Sequence, residues 1–164
     1  MRIEEGKLYL FKERVPLRTH QIMRKELYKG RETLYISKNS PSQVGMQFDF
    51  DSCKLMTLWL SPRPERNCVP PMNIKILEKK VFEFIDSSPK GIVALNGVEI
   101  LEMWNGFRAV LDFLKKSKGH IVCNDNNIFI SLDPKNISQR NLVEVEKLSD
   151  IVIGSNNEEA SISF

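Results

Sequence analysis

The sequence predicts a three-layer α/β domain: a mainly parallel sheet with helices on both faces. Three features carry this expectation. Short apolar runs alternate with amphipathic segments of about 12 to 16 residues, the pattern of right-handed βαβ units. Ile92-Val93-Ala94-Leu95 is apolar without interruption, as in a strand buried on both faces of a parallel sheet; a half-exposed hairpin strand would alternate. After Asn96-Gly97 the apolar residues recur every third or fourth position, so this pair reads as a strand-to-helix corner and not a hairpin tip.

The elements follow in order. Lys7 to Lys12 is rich in strand formers and is broken by Val15-Pro16-Leu17. From Arg18 to Lys29, Ile22, Met23, Leu27 and Tyr28 share one side of a basic amphipathic helix, with Thr19 as N-cap and Gly30 as the stop. Thr33 to Ser37 is a strand, Pro41 to Met46 a weak helix or turn, FDFDSCK irregular, and Leu55 to Leu60 a strand. SPRPERNCVPP, with four prolines between Ser61 and Pro71, is a loop. Asn73 to Ile85 has helical spacing with charges on its outer side.

Beyond Gly97, Ile100, Trp104, Phe107, Leu111 and Leu114 predict one helix running to Lys115-Lys118, with Gly119 as its cap and Trp104 and Phe107 in the core. His120 to Cys123 and Ile128 to Leu132 read as strands separated by the turn NDNN. Asp133-Pro134 leads to a last helix, Ser138 to Leu148, and Ile151 to Ile153 can add an edge strand.

A chain of 164 residues can bury about 70% of its unfolded surface, enough for one core without staples. A single domain is expected over 1–153, followed by a mobile polar tail, 154–164. Its 41% hydrophobic and 27% charged residues are those of a globular protein. No apolar run reaches the roughly 18 to 20 residues that span a bilayer, and MRIEEGKLYLFKERV does not read as a secretory signal, so a cytoplasmic location without membrane contact is expected. Cys53, Cys68 and Cys123 are an odd set without regular spacing, which suits reduced thiols. A net charge of +3 is too small for a nucleic-acid footprint, although Lys7 to Arg31 is locally basic.

The order of motifs resembles the archaeal family known as domain of unknown function 835. The resemblance rests on LYISKNSP, LWLS, GIVALNG, the Asn105-Gly106-Phe107 element and FISLDP, and covers about Lys7 to Leu148. Two positions depart from the family pattern: Lys38 stands where Arg is common, and Asn96 where the corner carries Asp. The resemblance implies a core like that of RecA- and KaiC-type ATPases without the phosphate-binding loop. It also implies occurrence in archaea, alone or beside sensor and kinase modules, with no established catalytic residues.

Nucleotide hydrolysis would need G-x-x-x-x-G-K-[ST], and none of the eight glycines fits it. The strand that would end in a Mg²⁺-holding Asp ends in Asn96. No enzyme activity and no cofactor are therefore expected. His120 and Cys123 lack the paired thiols of a zinc site, so no metal is expected either.

Open parallel sheets bind ligands beyond the carboxyl ends of their strands. That rule gathers Ser37, Lys38, Asn39, Ser61, Arg63, Asn96, Glu99, Asp133 and Lys135 as a candidate rim, with Lys38 and Arg63 set for a small anion. The same residues can equally be ordinary strand ends and caps. The proline-rich loop, with Pro62, Arg63, Arg66 and an exposed Val69, is a candidate partner contact. The leading expectation is a non-enzymatic archaeal regulatory or signalling domain acting through a protein partner or as a homodimer. The alternatives are a sensor of a nucleotide or other small anion, and nucleic-acid association through the basic helix.

Overall fold

The computed structural model describes residues 1–48 and 53–154, with side chains left aside at 45–48. Among these residues seven strands, β1 Leu8–Lys12, β2 Thr33–Ser37, β3 Leu55–Leu60, β4 Cys68–Val69, β5 Ile92–Asn96, β6 Asn127–Leu132 and β7 Ile151–Ile153, form one sheet in the order β4-β3-β2-β5-β6-β1-β7. Every pairing is parallel. The helices are α1 Leu17–Tyr28, α2 Pro41–Phe48, α3 Ile74–Ser87, α4 Val98–Asn105, α5 Phe107–Asn124 and α6 Gln139–Leu148.

Alternating side chains divide the strands between two cores. Leu8, Leu10, Leu34, Ile36, Val93, Leu95, Ile128 and Ile130 face α3 to α6. Tyr9, Phe11, Tyr35, Ala94 and Phe129 face Ile22 and Met23 of α1 and Val44 of α2. Burial on both sides explains the continuous apolar runs. On the second face Tyr9 and Phe11 meet Phe129 edge-on, with ring centroids 5.6 Å apart in both pairs.

Several expectations are corrected. His120 to Cys123 is not a strand; it is the last turn of α5, which runs to Asn124 and stops at Asp125 in the left-handed region, φ 55°. Its buried residues Val110, Phe113, Leu114, Ser117 and Ile121 extend the helical period past Gly119. A Cβ at Gly119 would meet no atom within 4 Å. Gly119→Ala is therefore expected to raise stability by about 0.5–1 kcal/mol through helix propensity, read from the urea midpoint.

The long helix after Gly97 is instead two, because Gly106, at φ 83°, ends α4 before α5 begins. The break resets the helical phase. Val98 and Leu101 face the core, and Trp104 is 54% exposed rather than buried. In α1, Thr19 is an interior residue and not the N-cap; Pro16 holds that position. Part of FDFDSCK and the tail 155–164 lie outside the described residues. No described helix is long and apolar enough to cross a membrane.

Candidate functional site

The chain leaves β2 towards β3 on one side and β5 towards β6 on the other, so the crevice beyond these neighbouring strands is the switch point where open α/β sheets hold ligands. Register builds its floor. Ser37 pairs with Asn96 and Asn96 with Ser131, which forms a polar row above the aromatic core. Phe11 stands beside Ser131, and Glu13, two residues further, continues on the same face.

Glu13 is 7% exposed. Its carboxylate accepts from the Arg18 amide at 2.9 Å, the Thr19 amide at 3.4 Å, the Ser131 hydroxyl at 2.8 Å and the Thr19 hydroxyl. Two of these donors are amides of the first turn of α1, the groups that a bound anion would otherwise claim. Burial raises the Glu13 pKa, opposed by the Thr19 and Ser131 hydroxyls and the two amides. Glu13 also explains how α1 starts without a side-chain cap from its own N-cap residue.

Behind this row, His20 Nε2 lies 2.6 Å from the Tyr35 hydroxyl, and Asn96 Nδ2 donates to the same oxygen at 3.5 Å. The arrangement suits a neutral imidazole accepting the phenol proton. Burial, with the charge of Arg24, lowers the His20 pKa to about 4, and burial lifts Tyr35 to about 12. Between these folded and unfolded values the unfolded chain binds the extra proton, so stability falls as the pH drops from 6.5 towards 4. About 3 kcal/mol is expected to be lost by pH 4. His20→Gln keeps an acceptor for Tyr35, and urea unfolding across this range should show that part of the slope flattened.

Above the row is a cleft of about 210 Å³. Glu13 to Pro16, Lys38, Asn39, Asn96, Glu99, Ser131 and Asp133 line it. Lys38 pairs with Glu99 at 2.9 Å, and its amide donates to the Asn96 carbonyl at 2.9 Å. Asp133 accepts from the Lys135 amide at 3.0 Å, capping the turn that follows β6. Three carboxylates face two cations, Arg14 and Lys38, and the lysine is already engaged. A small anion would have to compete with Glu99.

Of the predicted rim, Lys38, Asn39, Asn96, Glu99 and Asp133 meet in the cleft. Ser37 is buried beneath it, accepting from the Asn39 amide at 3.0 Å. Ser61 and Arg63 do not line it, because β3 lies beyond β2 and its chain turns away to β4. Ser61 accepts from the Arg63 amide at 3.4 Å, and the Arg63 guanidinium lies 5.1 Å over Trp59. In the proline-rich loop Pro62, Arg63 and Arg66 are exposed. Val69 is corrected: β4 buries it fully, so it offers nothing to a partner. Glu13 escaped the sequence reading, although Tyr9, Phe11 and Glu13 share one period-2 face and the acid lies three residues before the proline that opens α1. His120 stacks on Phe82, and no group of three or more His, Cys, Asp or Glu that could hold a metal ion occurs among the described residues.

Fold and site together define a three-layer α/β domain with a parallel sheet, whose first strand-to-helix corner is filled by its own glutamate. Flagellar accessory protein FlaH from Methanocaldococcus jannaschii is similar, with 14% identity and a TM-score of 0.66 over 93% of this chain and 72% of that one. A KaiC-like protein from Pyrococcus horikoshii shows 10% identity and a TM-score of 0.66, covering 92% and 73%. At such identities the likeness is one of fold. A search of the curated proteins finds no match. The chain belongs to the family described as protein of unknown function DUF835, whose model matches residues 16–148.

Proposed function

We propose that this chain is a non-enzymatic regulatory or signalling domain of archaeal type, which keeps the KaiC-like sheet and acts by protein contact. The observation that carries the reading is Glu13. In nucleotide-binding α/β folds the first strand-to-helix corner offers backbone amides to phosphate. Here Glu13-Arg14-Val15-Pro16 contains no glycine, and the Glu13 carboxylate holds the Arg18 and Thr19 amides. Asn96, a neutral oxygen, stands at the end of β5. Purified protein should show no turnover of nucleotides. Affinity purification from the native host should recover a stoichiometric protein partner, and reproducible turnover lost on mutation of Asn96 or Lys38 would sink the reading.

A small-anion sensor is the second reading, favoured by Lys38 and Arg14 at the cleft and weakened by the Lys38–Glu99 pair. Thermal stabilisation by phosphorylated metabolites, abolished by Lys38→Ala, would support it.

A further inference from the structure

We infer that the open edge of β3 is a docking strand for an extended, uncharged segment of a partner protein. The inference rests on the protein-contact reading and assigns that contact a surface. β4 pairs only with Trp59 and Leu60, so among the described residues no strand covers Leu55 to Leu58 on that side. The direction of the free backbone groups follows from the hydrogen bonds that are made. The amides of Trp59 and Ser61 donate to the Asn67 and Val69 carbonyls on the β4 side, at 2.8 and 3.0 Å. Peptide groups alternate along a strand, so the N–H and C=O of Leu55 and Thr57 point the same way, beyond the end of β4.

Natural edge strands are usually protected by charge, proline or a covering element. Leu55-Met56-Thr57-Leu58 carries no charge and no proline, and Met56 is 52% exposed. Beneath the edge, on the α3 side, is a groove of about 300 Å³ whose apolar lining is Leu34, Met56, Leu58 and Phe84, and which Glu32, Lys80 and Glu83 also line. Main-chain pairing with side chains entering a groove at alternate positions is how a peptide adds to a sheet. Four residues of strand give a slot of about 13 Å.

The slot does not suit a second copy. In an antiparallel pairing centred on Met56, only Leu55 to Thr57 of each chain pair before Trp59 of one chain reaches the turn that precedes Leu55 of the other. The β4 strand beside Trp59 then occupies the space of the opposing chain. A free peptide has no such obstruction.

The test uses the whole chain and random octapeptides displayed on phage. Selected peptides should be uncharged, with β-branched or aromatic residues at alternate positions. On binding, the Leu55 and Thr57 amides should exchange at least tenfold more slowly by NMR, while those of Met56 and Leu58, which face β2, stay protected throughout. Met56→Lys, at an exposed position, should weaken binding at least tenfold without lowering Tm; Thr57→Pro, which removes an outward amide, should do the same. Absence of any enriched peptide would overturn the inference, as would binding that leaves both amides unchanged. Concentration-dependent protection of Leu55 and Thr57 without peptide would assign the edge to a second copy and also overturn it. A native partner held equally by both variants would remove the edge assignment and leave the protein-contact reading standing.

Discussion

Glu13→Ala is expected to lower stability by about 3 kcal/mol, because four donors lose their acceptor at once in a buried setting. For a chain of this size that is a fall in Tm of roughly 6–12 °C. The loss should fall short of four full penalties, since the adjoining cleft, which Ser131 lines, lets water reach the Ser131 hydroxyl. The variant also tests the part the carboxylate plays. If Glu13 stands where an anion would otherwise sit, then sulfate at tens of millimolar should recover part of the lost Tm in Glu13→Ala, relative to chloride at equal ionic strength. The same salt should do nothing specific to the wild-type chain. Equal responses of the two proteins would show that the first turn of α1 has no latent anion site, and Glu13 would then be a cap alone.

Gly97→Ala is expected to cost about 2–4 kcal/mol. Gly97 lies at φ 153°, ψ 24°, where a side chain is strained. A Cβ there would stand 2.7 Å from Leu60 Cδ1 and 3.6 Å from Lys38 Cβ. The backbone is tied down as well, since the Gly97 carbonyl accepts from the Ile100 and Leu101 amides, both at 3.1 Å, to begin α4. A double-mutant cycle separates the two causes. Leu60→Ala removes the clashing methyl, so the pair should be less destabilised than the sum of the single changes, with the dihedral cost remaining. Strict additivity would show that the corner relaxes away from Leu60.

The strands were the most legible elements. Leu34 to Ile36, Ile92 to Leu95 and Ile128 to Ile130 sit between two helical layers, so their apolar continuity states their environment directly. The corner at Asn96-Gly97 was legible for a similar reason, because a change of apolar period marks a change of backbone geometry. Five of the rim residues could be gathered in advance, since a parallel sheet brings all its carboxyl ends to one side.

Other features depend on relations that no local pattern carries. Whether Gly106 breaks a helix or rides within it depends on where α5 must pack, and with it went the placement of Trp104. His120-Ile121-Val122-Cys123 has strand-like composition, yet Ile121 completes the buried stripe of α5, and that packing outweighs propensity. The exposure of Val69 turned on a two-residue pairing with Trp59 and Leu60.

By itself, then, the sequence determined the α/β class, the parallel sheet and the absence of a glycine-rich phosphate loop, because these follow from local periodicity and composition, while the family was legible only as a resemblance in the order of its motifs. Only the tertiary structure decided what occupies the first strand-to-helix corner and how far β4 pairs along β3. Both depend on which strands become neighbours, and that order is set by burial of both sheet faces across the whole chain. Glu13 meets Ser131 over 118 positions because β1 pairs with β6, and no segment of the chain read alone contains that fact.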